Sequence, residues 1–470
     1  MTFSSLSALQ RAQRILDDGS FEPLHEVSEG SVLVAGSGFL AGAPVVLALT
    51  DGHVRGGTIG VAEAGALVQL ADTVFTGRVH SRRPVALIVG FDTGGVRVEE
   101  GPRALAAASA LGVALARLSL LGVPLASVIS GPRGCFGATA VMAALPERVI
   151  MTSNANWGLT GPRLFGSSTT SIAAGQHATS GEMRLANGDA HAVVDDDADA
   201  IRTQLCDFIA RAQSGHDRRS VAQHLASSAD ILAAMRARLK ENVALTPNGD
   251  PTIRRRRQRD LLRYSFRGQW KPSGVVRREG IVHAAIGTLG ERPALSLIVG
   301  PEGSRGNGIG IAEAATVAEM VRIAATGTPG DRAAILTFLF CQGHVVDVEQ
   351  ERLGLPRALA ECLRAMVAAR LLGHPIVSVL GGGTYGAAYL ALAAPSHRIL
   401  AMRGTSVAPM APQVLQAFQA LRGHKSGQEA QVAELIPDIR IVESVIRLPR
   451  VLREEFIALL ATVRPEVDAA

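Results

Sequence analysis

Ser127 to Ala138 reads S-V-I-S-G-P-R-G-C-F-G-A, and Ser378 to Ala387 reads S-V-L-G-G-G-T-Y-G-A. In both, a short apolar run ends in a cluster of glycines and opens into an Ala-containing segment, the pattern of a strand, a tight turn and a helix. Working outward, the likeness spreads. L-L-G-V-P (Leu120 to Pro124) matches L-L-G-H-P (Leu371 to Pro375), and P-R-A-L-A occurs both at Pro102 to Ala106 and at Pro356 to Ala360. Further upstream R-G-G-T-I-G-V-A-E-A (Arg55 to Ala64) matches R-G-N-G-I-G-I-A-E-A (Arg305 to Ala314), 250 residues apart. Downstream, L-P-E-R-V-I-M (Leu145 to Met151) faces A-P-S-H-R-I-L-A-M (Ala394 to Met402). Matches in one order at near-constant spacing identify an internal duplication whose period is a whole domain.

Each copy has the same coarse layout. A first strand (Ser31 to Ala35; Gly280 to Ile286) precedes a second (Pro44 to Leu49; Ala294 to Val299), and a Gly-rich loop leads into an amphipathic helix. A further strand follows (Pro84 to Gly90; Ala333 to Phe340), then a glycine turn and a helix with Pro at its start, where its missing N–H costs nothing. Another strand (Leu125 to Ile129; Ile376 to Leu380), a second glycine turn and a short helix complete the unit. Strands alternating with helices predict an α/β fold with largely parallel sheets. Between the copies, Asn242 to Gly274 carries Pro247, Pro251, Pro272 and the run Arg254 to Arg257, the composition of a linker.

Composition narrows the class. Hydrophobic residues make up 47% of the 470, enough for sizeable cores, and the charge content excludes disorder. The net charge of +5 is modest and almost all the cations are Arg, since only Lys240, Lys271 and Lys425 are lysines. No nucleic-acid signature emerges. The cysteines Cys135, Cys206, Cys341 and Cys362 are widely spaced, which excludes a zinc ribbon or disulfide framework and fits a reducing cytoplasm. The first residues lack an apolar signal core. Leu371 to His397 has no Asp, Glu, Lys or Arg, but Pro375 and three glycines break it, so it reads as strand, turn and helix rather than a membrane span.

The chemistry points to the glycine turns. The first copy has Asp92-Thr93-Gly94-Gly95-Val96-Arg97 and Gly131-Pro132-Arg133-Gly134-Cys135-Phe136-Gly137; the second has Cys341-Gln342-Gly343-His344 and Gly381-Gly382-Gly383-Thr384-Tyr385-Gly386. Glycine lets backbone N–H groups approach a ligand, and two such groups converging from separate loops make an oxyanion hole. Neither G-x-S-x-G nor a P-loop is present. Gly381 to Gly386 satisfies G-x-G-x-x-G, but the acidic residue a dinucleotide site needs is absent downstream. Asp195, Asp196, Asp197 and Asp199 precede a helix and are read as capping rather than metal-binding. His344 and His397 lie near glycine turns.

At D-T-G-G-V-R-V-E-E-G (Asp92 to Gly101), G-P-R-G-C-F-G (Gly131 to Gly137) and W-G-L-T-G-P (Trp157 to Pro162), the first half resembles the β subunit of malonate decarboxylase. The second half is similar to its γ subunit through Gln342-Gly343, E-Q-E-R-L-G (Glu349 to Gly354) and A-A-R-L-L-G-H-P (Ala368 to Pro375). The resemblance implies two tandem crotonase/ClpP-like α/β domains of repeated ββα units: a β-like domain over 1–241, a basic linker over 242–274 and a γ-like domain over 275–470. It also implies a biotin-independent carbon–carbon lyase that converts a malonyl thioester, such as malonyl-acyl carrier protein, to an acetyl thioester and CO2. No covalent cofactor is implied. The thioester would arrive on a CoA-like or phosphopantetheine arm supplied by a carrier, and the chain would be a cytoplasmic homo-oligomer without metal or membrane contact.

Carried over by position, Gly95 and Gly137, with Gly94 and Phe136, would hold one substrate oxygen; Gly343 and Gly386, with His344 and Tyr385, would hold the other. Arg97, Gly56, Gly57, Gly134 and Cys135 are expected to line the substrate. Tyr385, Tyr389 and His344 are candidates for returning a proton to the α-carbon. The sequence departs from the γ pattern at Thr384 to Tyr389, where T-Y-G-A-A-Y is similar to the A-Y-G-G-A-Y of biotin-dependent carboxyltransferases, and at Val345 to Val348, where an Arg-rich stretch is replaced. Arg163 stands where an acid commonly follows the β subunit's G-P. A carboxyltransferase working with a biotin carrier, or a non-catalytic scaffold, therefore stays open alongside the decarboxylase.

Overall fold

The computed structural model describes residues 2–24, 30–76, 83–166, 168–214, 219–242, 270–300, 308–326, 332–422 and 432–467. The chain forms two compact units. The first comprises Met1–Glu100, Ala107–Arg219 and Asp347–Ala360; the second comprises Gly101–Ala106, Ser220–Val346 and Glu361–Ala470. Chain order alone places a boundary at 241, but the helix Val221–Asn242 packs on Ile311–Ala325 of the second unit, where Arg236 meets Glu319. The arginine run of the linker lies outside the described residues, and Trp270 to Gly274, read as its end, begin a strand.

In the first unit the strands are β1 (Glu22–Pro23), β2 (Leu33–Leu40), β3 (Ala43–Thr50), β4 (Ala86–Phe91), β5 (Leu125–Ile129), β6 (Cys135–Phe136), β7 (Arg148–Thr152), β8 (Trp157–Gly158) and β9 (Ala192–Val194). Among the described residues, seven form a sheet in the order β1-β2-β3-β4-β5-β7-β9, and β6 pairs separately with β8. β1, β2 and β3 are antiparallel neighbours, and from β3 to β9 every pairing is parallel. β4 and β5 are buried at every position, as expected of parallel strands covered on both faces. One face packs against the helices Ala8–Ile15 and Ala198–Gln213: Val45, Leu47, Ile88 and Val128, at every second strand position, meet Ala12, Ile15, Ile201 and Leu205. The first helix opens with a capping box between Ser7 and Gln10, and the second is capped by Asp197, whose side chain accepts from the Asp199 and Ala200 N–H groups.

The second unit repeats this plan with β10 (Trp270–Glu279), β11 (Val282–Leu289), β12 (Arg292–Val299), β13 (Ala334–Leu339), β14 (Ile376–Leu380), β15 (Gly383–Tyr385), β16 (Arg398–Met402), β17 (Ser406–Ala408) and β18 (Ile439–Val442). Its sheet runs β10-β11-β12-β13-β14-β16-β18, and β15 pairs with β17. Again the first three strands are antiparallel and the rest parallel. The apolar stripe of Leu448–Thr462 (Leu448, Leu452, Phe456, Leu459) closes one face over Leu336, Phe338, Val377 and Val379. Leu371 to His397 is resolved into a helix end, β14, β15 and a short helical segment. Among the described residues one helix, Val98–Leu120, is long and apolar enough to cross a membrane, and 56% of its most apolar window is buried within the protein.

Candidate active site

In each unit the glycine turns lie where a strand leaves the sheet, at its C-terminal end. In the first unit, Asp92 to Arg97 follows β4 and meets the chain after β3. The Ile59 N–H donates to the Gly95 carbonyl (3.0 Å), and the Arg97 N–H donates to the Ile59 carbonyl (2.8 Å). In the second unit the Ile309 N–H donates to Gly343 (2.8 Å) and the Val345 N–H to Ile309 (3.1 Å). The φ angles agree as well, +109° at Gly95 and +110° at Gly343. The second turn of each unit carries a positive φ at Gly137 (+68°) and at Gly386 (+49°). A left-handed backbone at these places is what glycine supplies without strain.

The first unit's two turns touch. The Thr93 N–H donates to Gly134 O (2.8 Å), and a Cβ added at Gly95 would lie 2.9 Å from Phe136 O. The amides of the residues singled out by sequence are nonetheless engaged within the fold. Gly94 donates to Gly56 O (2.9 Å), Gly95 to Thr93 Oγ1 (3.1 Å) and Gly137 to Leu159 O (3.2 Å). These bonds shape the turns and shift the outward donors by one residue. Gly95 O and Arg97 N both bond Ile59, so strand alternation turns the Val96 N–H to the opposite side. Gly137 caps the short helix Ala138–Ala143, whose first N–H, that of Ala138, has no intrahelical acceptor. A Cβ placed on Gly137 would meet nothing within 4 Å, so the space before this turn is open.

The other residues expected at the substrate mostly brace the turn. Arg97 is 4% exposed, and its guanidinium donates to Glu63 (2.7 Å), Glu100 (2.6 Å) and Thr58 O (2.8 Å). Burial disfavours its charge, but the two carboxylates outweigh that and hold its pKa above the usual Arg value. Its guanidinium is thus committed to the turn rather than offered to a ligand. Gly57 and Gly134 permit close backbone crossings, with Asp92 O and Asn156 O respectively, while Gly56 supplies the carbonyl that Gly94 uses. The Cys135 thiol is buried and its pKa is raised by burial, the opposite of an activated nucleophile.

Two anchors were not foreseen from the sequence. Asp92, under the first turn, forms a fully buried ion pair with Arg11 (3.0 Å) and accepts from the Arg133 N–H (3.2 Å). Burial raises its pKa, and Arg11 opposes that rise. In the second unit Glu313 caps its helix by accepting from the Gly310 N–H (3.1 Å), as Glu63 accepts from Gly60 (2.9 Å). Val345 replaces Arg97 there, and the enclosed Glu313 carboxyl is pushed up to about 7 by burial.

Among the proton-donor candidates, burial lowers His344 to about 4, leaving its ring neutral at pH 7. Tyr389, 3% exposed, lies in a π-helical turn, Tyr389–Ala393, and burial first, then Asp438, raises its pKa. Tyr385 precedes Gly386 and its hydroxyl end approaches Gly383. His397 serves structure, its Nδ1 accepting from the Ile376 N–H (3.1 Å). Beside the second unit's turns the side chains are tyrosine hydroxyls and a neutral imidazole, which suit hydrogen-bonding an anionic oxygen rather than attacking a carbonyl.

Residues 4–256 match the carboxyl transferase domain family, and residues 304–419 match the malonate decarboxylase gamma subunit family. The biotin-dependent acetyl-/propionyl-coenzyme A carboxylase beta6 subunit of Mycobacterium tuberculosis is 29% identical over 391 residues, 82% of this chain and 75% of that protein. The malonyl-S-ACP:biotin-protein carboxyltransferase MADC of Malonomonas rubra is 29% identical over 190 residues, 35% of this chain and 59% of its own. Among solved structures, a Pseudomonas malonate decarboxylase hetero-tetramer in complex with malonate shares 31% identity over 45% of this chain and 84% of its own, with a TM-score of 0.40. A carboxyl transferase match followed by a gamma-subunit match in one chain is the fused β–γ order to which the motifs point.

Proposed function

Since the chain belongs to the carboxyl transferase domain family, we propose that it decarboxylates a malonyl thioester, releasing CO2 and leaving an acetyl thioester. The observation that carries this reading is the gamma-subunit match over 304–419 downstream of the carboxyl transferase match. The repeated turn geometry supports it, with the bonds at Gly95 and Ile59 reproduced at Gly343 and Ile309.

The step needs few side chains. The bond between the α-carbon and the carboxylate carbon breaks, CO2 departs, and the electron pair becomes an enolate whose charge rests on the thioester oxygen. The Val96 and Ala138 N–H groups, held by Gly94, Gly95, Phe136 and Gly137, would receive that oxygen. Fixed donors of this kind lower a barrier by about 3–4 kcal/mol. The second unit's two turns, through Gly343 and His344 and through Tyr385 and Gly386, would receive the carboxylate. A proton then closes the reaction at the α-carbon, with Tyr385 or Tyr389 as its donor or as the holder of a water. The thioester is substrate, delivered on a CoA-like or phosphopantetheine arm by a carrier, and the working protein would be a cytoplasmic dimer or larger homo-oligomer.

The division of labour is tested by deuterium exchange into acetyl thioester alongside CO2 release. Gly137→Val should slow both, whereas damage around Gly343 should slow CO2 release alone, because an acetyl group has no carboxylate to place. Equal loss of exchange at both turns would refute it. A second reading, carboxyl transfer to or from a biotin carrier, is favoured by the names of the two carboxylase and carboxyltransferase relatives. It requires biotin for turnover; decarboxylation does not.

A further inference from the structure

The first unit contains a buried carboxylate at the end of a chain of hydrogen bonds leading to Gly137. Glu351, on the short helix Val348–Arg352, has no exposed surface. Its Oε1 accepts from the Leu159 N–H (3.0 Å) and its Oε2 from the Thr160 N–H (3.2 Å). The Leu159 carbonyl in turn accepts the Gly137 N–H (3.2 Å), immediately before Ala138. Arg184, also without exposed surface, holds the other side of this assembly. It donates to Glu351 Oε1 (3.2 Å), to the Glu351 carbonyl (2.8 Å) and to the Trp157 carbonyl (2.9 Å), and it pairs with Asp189 (3.4 Å).

A buried charge is expensive unless its partners are fixed around it. Here the partners are consecutive amides of a segment that holds the glycine turn through the pairing of Cys135 with Trp157 and Phe136 with Gly158, and through the Trp157 indole N–H, which donates to Ala140 O (3.0 Å). Arg184 also faces Asp189, which it shares with Arg357 (3.6 Å), so charge balance places a carboxylate here but does not dictate that both its oxygens accept from consecutive amides. Burial raises the Glu351 pKa, and Arg184 and the two amides oppose that rise. We propose that Glu351 is a positioning residue, setting the register of the Leu159–Thr160 segment and through it the direction of the donors at the Gly137 turn. This rests on the reading that the first unit's turn holds a substrate oxygen. Glu351 touches no reacting atom; it acts through Leu159.

Residue-resolved amide hydrogen exchange on the full chain tests it with Glu351→Gln and Glu351→Asp. Gln retains the reach but only one acceptor oxygen; Asp retains the charge beside Arg184 but is one methylene short. Both should speed exchange of the Leu159, Thr160 and Gly137 amides by about tenfold or more, leaving β4 and β5 protected. Both should also lower kcat for CO2 release from malonyl-CoA by about 10- to 100-fold, with KM held within about twofold, as expected of misplaced donors. If Glu351 serves only to balance Arg184, the Asp variant keeps wild-type exchange and kcat, and the proposal is overturned. It is equally overturned if Leu159 and Thr160 loosen while Gly137 stays protected. Should a variant not fold, the wild type decides: the three amides should open as one unit, and independent opening of Gly137 refutes the link. A wild type that releases no CO2 removes the decarboxylase reading, while amide exchange still decides the positioning.

Discussion

Gly137→Ala separates the conformational demand of the first turn from its role toward a ligand. Gly137 sits at φ +68° and ψ −145°, a combination that residues with a Cβ adopt only under strain. The strain amounts to about 1–3 kcal/mol. No steric cost adds to it, because the new methyl meets nothing within 4 Å. A loss of this size lowers the melting temperature of a unit of roughly 200 residues by about 5 °C. The same methyl stands in the space where a substrate oxygen would approach the Ala138 N–H. Displacing that oxygen by about 1 Å lowers kcat by about 100-fold. Gly42→Ala serves as the control: it shares the positive φ (+74°) and the open surroundings but lies in the β2–β3 hairpin. The assay is CO2 release from malonyl-CoA with thermal unfolding of the same samples. Gly42→Ala should soften melting and keep wild-type kcat. Wild-type kcat in Gly137→Ala, or an equal loss in Gly42→Ala, would remove the Gly137 turn from the substrate site.

Other substitutions test the supporting structure. Gly386→Ala places its Cβ 2.7 Å from Pro409 O, so unlike Gly137 it should lose stability by collision as well as strain, and denaturant unfolding should show a larger drop than Gly137→Ala. Arg11→Met leaves Asp92 buried without its counter-charge and should cost about 3–5 kcal/mol in the same assay; a loss under about 1 kcal/mol would contradict the anchoring role. Glu313, pushed from 4.5 to about 7, binds its proton more tightly in the folded state. Its contribution to stability therefore falls as pH rises from about 4.5 to about 7, by about 3 kcal/mol at most. Subtracting Glu313→Gln stabilities from wild-type ones across that range should reveal this slope, and parallel curves would exclude it.

Much of the fold was readable because the chain states it twice. The strands Leu125–Ile129 and Ile376–Leu380 lie where the β-branched runs place them, and the turns after them carry glycine because Gly137 and Gly386 need a positive φ. The donors were harder to assign. Whether Gly95 or Val96 faces outward depends on which of them pairs with Ile59, and that register is set across the fold rather than within D-T-G-G-V-R. Arg97 reads as a cation beside a glycine turn; only the folded chain reveals Glu63 and Glu100 around it. Arg11 and Glu351 carry no local signal, since each meets its partner far along the sequence. Packing also overrides chain order at Val221–Asn242, whose apolar stripe finds its surface in the second unit.

A carboxylate that leaves as CO2 needs no biotin acceptor. The most direct measurement is CO2 release by the purified full chain from malonyl-CoA and from malonyl-carrier protein, each with avidin added to sequester biotin. Decarboxylation yields acetyl thioester and CO2 in equal amounts, at a rate avidin does not change. Release that appears only when a biotinylated carrier is supplied, with avidin abolishing it, would exclude biotin-independent decarboxylation and establish carboxyl transfer instead.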